Sequence, residues 1–146
     1  MTNISFHFNV ADTLHYVCRL VKKAWQQEIP VLVVGAPEWL EELDGVLWSF
    51  SDTDFIPHAF VGDEADEVSD DKVNVWLSTS DQIKTLAQMH SGFLIHCSET
   101  QPAGFERFDR LIEIVPQAPS SVAAARERWK YYKQRGYPLT HHDAKN

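Results

Sequence analysis

Apolar and polar residues alternate at the start of the chain, with the period of a β-strand. Every second residue from Ile4 to Val10 is apolar. A helical pattern follows, because apolar residues then recur at three- and four-residue intervals up to Trp25, and Asp12 precedes them as an N-cap. The next segment, Val31–Val34, is apolar at every position and ends at Gly35, which is typical of a strand covered on both faces. This order predicts a parallel sheet with flanking helices.

The rest of the chain continues the alternation of strands and helices. Helices are predicted from Pro37 to about Phe50, over Ser80–His90 and from Pro119 to Arg135, and strands over Val73–Leu77, Phe93–Cys97 and Leu111–Val115. The pattern favours an α/β three-layer sandwich with a mostly parallel sheet, formed by one domain over residues 1–146. We expect an acidic loop over residues 62–71, in which residues 62–67 are the best candidate for a mobile segment, and a frayed tail over residues 139–146.

Composition excludes several classes of protein. With 44% hydrophobic residues in 146, including five Trp and eight Phe, the chain is too apolar to be disordered. It has no apolar run of the roughly 20 residues that span a bilayer, and its first residues do not resemble a signal peptide, so we expect a soluble, cytoplasmic protein. Cys18 and Cys97 are expected to be reduced, buried thiols.

The sequence lacks the usual marks of a nucleotide or metal site. No two glycines have the spacing of a phosphate-binding loop, which removes the physical basis of most nucleotide sites in α/β proteins. His96 and Cys97 are adjacent on a predicted strand and therefore point to opposite faces, so they are not expected to bind one metal ion together. We expect neither a metal nor another cofactor. A nucleophilic site that uses Cys97 remains open, because catalytic groups assemble in space rather than in sequence.

Positive charge is concentrated at the end of the chain. Residues 1–100 carry five basic and sixteen acidic side chains, a net of −11, whereas residues 101–146 carry eight basic and five acidic, a net of +3. On the last predicted helix, Arg126, Lys130 and Lys133 form a row beside an apolar stripe that includes Trp129. Such a face fits an acidic peptide with an apolar end, although a simple solvated face has the same spacing.

A second cluster of large apolar residues lies in an otherwise acidic segment. Leu43–Trp48 has the sequence LDGVLW, and Phe55–His58 has the sequence FIPH. The cluster is either a plug of the core or an exposed aromatic patch for a protein partner.

These segments resemble the chi subunit family of bacterial DNA polymerase III. The LDxxLW and FIPH motifs are typical of that family, as is Ala125–Lys133 with the sequence ARERWKYYK, followed by RGY at Arg135–Tyr137. The similarity extends over essentially the whole chain. It implies a Rossmann-like fold without nucleotide chemistry, in an accessory subunit that pairs one-to-one with the psi subunit. It also implies binding of the acidic C-terminal tail of single-stranded DNA-binding protein, with only indirect contact to DNA.

The resemblance also implies which residues form the two interfaces. The tail site comprises Arg126, Trp129, Lys130 and Val115, with Lys133 at its border. Val122 stands where some family members have a lysine. The psi interface comprises Trp48, Phe55, Ile56, Pro57 and His58, a patch that the family also offers to a helicase-like repair protein. Two alternatives stay open, namely a small α/β enzyme with an unrecognised pocket and a free-standing tail-binding adaptor in DNA repair.

Overall fold

Seven parallel strands form one sheet in the computed structural model, which describes residues 2–49, 56–60, 75–79, 92–102 and 104–144. The strands are β1 (Asn3–Val10), β2 (Val31–Gly35), β3 (His58–Phe60), β4 (Val75–Ser78), β5 (Phe93–Cys97), β6 (Arg110–Pro116) and β7 (Leu139–Asp143). The helices are α1 (Thr13–Gln26), α2 (Pro37–Ser49) and α3 (Pro119–Gln134). The predicted helix over residues 80–90 and the acidic loop over residues 62–71 lie outside the described residues. No described helix is long and apolar enough to cross a membrane.

The order of the strands places β5 at the centre of the sheet, between β2 and β6. The order is β3-β4-β2-β5-β6-β1-β7, and every pairing between neighbours is parallel. On β2, Val31 and Val33 face the core under α1 and α2, whereas Leu32 and Val34 face the core under α3. Because a strand with two covered faces buries every side chain, the continuous apolar run predicted this strand correctly. The predicted α/β sandwich with helices on both faces is confirmed.

The last helix begins at the predicted residue and ends one residue before the predicted end, at Gln134. Pro119 is its first residue, where the missing N–H of proline is not needed for the helical hydrogen bonds. Gly136 follows the helix with a φ of +80°, a left-handed conformation that glycine adopts without strain. The chain can therefore reverse there and return to the sheet as β7.

The expectation of a frayed tail is wrong for Leu139–Asp143. These residues form β7, which pairs in parallel with β1 at the edge of the sheet. The Ser5 and Thr140 hydroxyls form a hydrogen bond of 2.9 Å across this pair. Most β7 side chains are polar and exposed, so no apolar alternation marks the strand, and the backbone of β1 supplies the pairing that stabilises it. The sequence patterns also did not predict β3, the strand at the opposite edge of the sheet.

A β-bulge lies near the end of β1. The pairing of β1 with β6 shifts between His7 and Val10, and Asn9 has a φ of +65°. The extra residue turns Val10 into the core under α1. The Asn9 amide donates to Asp143 on β7 at 3.2 Å, and its carbonyl accepts from Gln117 at 3.2 Å. These bonds join β7 and the segment after β6 to the bulge.

Candidate functional site

A pocket opens between α3 and the edge of the sheet formed by β1 and β7. Its volume is about 370 Å³. Its lining residues are Phe6, Phe8, Asn9, Val115, Gln117, Val122, Ala125, Arg126, Trp129 and His141. Six of these ten are apolar, and Arg126 is the one that carries a permanent charge. We call this cavity the α3 pocket.

Aromatic contacts form the floor of the α3 pocket. Phe6 and Phe8 lie on the same face of β1 because alternate residues of a strand point the same way. The Phe6 ring meets the Trp129 ring edge to face, with 5.2 Å between centroids. Such pairs add about 0.5–1.5 kcal/mol beyond the burial of their area. The floor is therefore held by the packing of α3 on β1.

The basic row expected on α3 divides into two parts. Arg126 lines the pocket beside Trp129, whereas Lys130 and Lys133 are exposed and do not line it. The Lys130 ammonium lies 3.6 Å from the Glu127 carboxylate, and both side chains are largely exposed, so the pair is weak and easily broken. Val115 lines the pocket from the end of β6. The structure thus groups Arg126, Trp129 and Val115, with Lys130 and Lys133 outside.

A buried polar network lies beneath α3. The Glu113 carboxylate on β6 accepts hydrogen bonds from Arg128 Nε at 3.0 Å and from the Tyr132 hydroxyl at 2.7 Å, both on α3. Its other oxygen lies 2.5 Å from Nδ1 of His96 on β5. Burial alone raises the pKa of Glu113, but His96, Arg128 and Tyr132 together bring this pKa below its ordinary value. Glu113 therefore ties α3 to the sheet as a carboxylate.

Sequence reasoning missed several residues of these two groups. Arg128 is an arginine among other cations on α3, and only the position of Glu113 beneath the helix explains its burial. Phe8, Asn9 and His141 enter the pocket because β1 lies between β6 and β7. The alternation in FHF was a usable signal for Phe6 and Phe8, but nothing in the sequence placed His141.

Trp48 lies at the C-terminal end of α2, on a surface away from the α3 pocket. It is 55% exposed, an unusual value for so large an apolar side chain. Its ring packs against the His58 ring at 4.9 Å between centroids. His58 is buried and lies 2.8 Å from the Asp44 carboxylate and 2.8 Å from the Ile56 carbonyl. The exposed indole is thus supported by a hydrogen-bonded imidazole.

Ile56 departs from the expected interface. Its side chain is 2% exposed and packs in the core under α1 and α2, so it cannot contact a partner. Pro57 is half-buried, and Phe55 lies outside the described residues. The His58 side chain is 1% exposed, so it also departs from the expected interface, and Pro57 is the described residue of this segment that reaches the surface.

Parallel α/β sheets usually bind nucleotides in a crevice at the carboxyl ends of their strands. Here Trp39 lines that crevice, and its indole N–H donates to the Thr13 hydroxyl at 2.9 Å. At the N-terminus of α3, where a phosphate is usually held, the Glu99 carboxylate accepts from Ser120 at 3.0 Å and Ser121 at 3.4 Å. A phosphate there would meet a negative charge.

The cysteines are poorly suited to catalysis. Burial, assisted by the charge of Glu113, raises the pKa of the Cys97 thiol to about 12, so it stays protonated at neutral pH. Burial also raises the pKa of Cys18 to about 12. Within the described ranges, no cluster of three or more His, Cys, Asp or Glu side chains has the geometry of a metal site.

Comparison with known proteins gives one family and one fold. Residues 1–140 match the family described as DNA polymerase III chi subunit, HolC. A DNA polymerase III subunit chi from Pseudomonas aeruginosa is 32% identical over 147 aligned residues, which cover 97% of this chain and 96% of that protein. The crystal structure of the Pyrococcus furiosus Hef helicase domain superposes with a TM-score of 0.58 at 15% identity. That match covers 84% of this chain but 27% of the helicase chain, and shows a common fold alone.

Proposed function

The chain belongs to the DNA polymerase III chi subunit family, and we propose that it links the replicase to single-stranded DNA-binding protein by binding that protein's acidic C-terminal tail. The α3 pocket carries the proposal, because it combines an aromatic floor with Arg126 at its rim. The apolar side chain at the end of the tail packs against the aromatic floor, and Arg126 pairs with carboxylates of the tail. Lys130 and Lys133, outside the pocket, attract the acidic residues that precede the terminal one.

The test is titration with an acidic peptide that ends in phenylalanine. The Arg126→Ala variant is expected to bind it about five- to hundredfold more weakly, corresponding to about 1–3 kcal/mol for a charge-assisted contact. Binding of the wild type is expected to weaken with added salt. Arg135→Ala is the matched control, since it removes the same charge from a residue that stacks on Tyr131 at 3.9 Å and does not line the pocket. Equal affinity of the Arg126→Ala and Arg135→Ala proteins would contradict the proposal.

We also propose that the surface around Trp48 binds the psi subunit together with Pro57, and the family motif adds Phe55 to this interface. The support is the exposed indole, which packs on the buried His58 side chain that lies 2.8 Å from the Asp44 carboxylate. Aromatic residues at the centre of interfaces commonly contribute about 2 kcal/mol or more, equivalent to about thirtyfold in affinity. Trp48→Ala should therefore lose psi in a pull-down while keeping the acidic peptide, because the two surfaces lie on different elements. Phe55→Ala is expected to behave in the same way.

In this proposal the protein reaches DNA through its partners. The net charge of −11 over residues 1–100 repels phosphates from most of the chain, and the cations of α3 are committed to the tail or to Glu113. A helicase-like repair protein that uses the Trp48 surface would compete with psi. The Trp48→Ala variant should lose both of these partners.

A further inference from the structure

His141 lies in the wall of the α3 pocket although it belongs to the edge strand of the sheet. It pairs with Phe6 across β1 and β7, so its side chain points to the face that α3 covers. Its ring is 6.2 Å from the Trp129 ring and 6.2 Å from the Phe8 ring, measured between centroids. The imidazole therefore lies beside two of the three aromatic residues that form the pocket floor, Phe8 and Trp129, while remaining open to solvent.

The charged groups around His141 come from two elements. Helix α3 contributes Arg126, which lines the same pocket. Strand β7 contributes Asp143, which faces the same side two residues further on and accepts a hydrogen bond from Asn9. The pocket residues of β1 and of the end of β6 with its following turn are uncharged, namely Phe6, Phe8, Asn9, Val115 and Gln117. His141 is thus the one histidine among the lining residues, and histidine is the side-chain type that gains a positive charge near neutral pH.

We propose that His141 is a further binding residue of the α3 pocket, closing its apolar wall and, when protonated, adding a second positive charge beside Arg126 for a carboxylate-bearing peptide. This inference rests on the proposed function. The sign of its pH dependence follows from the chemistry. Peptide carboxylates stay ionised and arginine stays charged between about pH 6 and 8, whereas the imidazole gains a proton as the pH falls. The peptide is therefore bound more tightly at the lower pH.

The experiment compares the wild type with His141→Gln, which keeps a polar side chain of similar length but cannot take up a proton. Both are titrated with the acidic, phenylalanine-terminated peptide at about pH 8 and about pH 6, at constant ionic strength. We expect wild-type affinity to rise about two- to fivefold at the lower pH, the size of a solvent-exposed ion pair, and the variant's affinity to stay constant. Calorimetry in two buffers of different ionisation enthalpy should detect proton uptake by the wild type only.

The neighbouring residue provides the control. His142 points to the opposite face of the sheet, where its ring lies 5.3 Å from that of His7, so His142→Gln should retain the pH dependence. If His141→Gln binds peptide and keeps both the pH dependence and the proton uptake, the inference is wrong while the proposed function stands. If the wild type fails to bind the peptide at either pH, both are wrong. Melting temperatures of the two variants establish that each one is folded.

Discussion

Removal of the Tyr132 hydroxyl is expected to destabilise the protein while leaving the α3 pocket in place. Tyr132 is fully buried, and its hydroxyl donates to the Glu113 carboxylate at 2.7 Å. Burial and the charge of Glu113 raise the pKa of this phenol, so the hydroxyl keeps its proton at neutral pH and can donate it to the carboxylate. Tyr132→Phe retains the ring and its contacts with Phe6 and Phe105, and deletes only the donor.

The magnitude follows from the partners that Glu113 keeps. A hydrogen bond to a charged group contributes about 1.5–3 kcal/mol. Because Arg128 and His96 still face the carboxylate, we expect Tyr132→Phe to lower the free energy of unfolding by about 2 kcal/mol, less than the cost of an unpaired buried charge. For a chain of this length, that loss lowers the melting temperature by about 4–8 °C. Loss of the donor also raises the pKa of Glu113, so stability should be lost at a higher pH on acidification.

Urea unfolding of Tyr132→Phe and Tyr131→Phe provides the measurement. Tyr131 is the adjacent residue on α3, half-buried against Arg135, and its loss of a hydroxyl should cost less than about 0.5 kcal/mol. Equal stability of the two variants would refute the role assigned to the network. Peptide affinity should be unchanged in both, and a loss confined to Tyr132→Phe would show that the network also sets the position of α3.

Two further predictions concern stability. His7 is partly buried, and burial followed by the charge of neighbouring side chains lowers its pKa to about 4. Because the unfolded chain takes up this proton near pH 6.5, the contribution of His7 to the free energy of unfolding is fully present above that pH and is lost as the pH falls towards about 4. The His7→Gln variant should therefore show a smaller decline of the urea midpoint over this pH range. Gly92→Ala should cost about 1–3 kcal/mol, since the new Cβ would lie 2.1 Å from the Pro30 carbonyl oxygen, whereas Gly45→Ala in α2 meets no atom within 4 Å and should be neutral or stabilising.

Local patterns were sufficient for the central elements of the fold. The apolar run at Val31–Val34 and the apolar stripe on the last helix predict their elements because the apolar or polar character of each residue indicates whether its side chain is buried. Gly136 likewise predicted the end of the last helix, because its left-handed conformation depends only on the local backbone. Motif similarity then grouped Arg126 with Trp129, which are neighbours on one helix face and line one pocket.

Pairing between distant segments was decided by the tertiary structure alone. Strand β7 has little apolar pattern of its own and exists because β1 offers a free edge 135 residues away in sequence, as the Ser5–Thr140 bond shows. That pairing brings His141 to the pocket. Arg128 has the same sequence signature as its exposed neighbours and is buried because Glu113 lies beneath it. Helix and strand periods depend on residues a few positions apart, whereas edge pairing and buried ion pairs depend on partners that only the folded chain brings together.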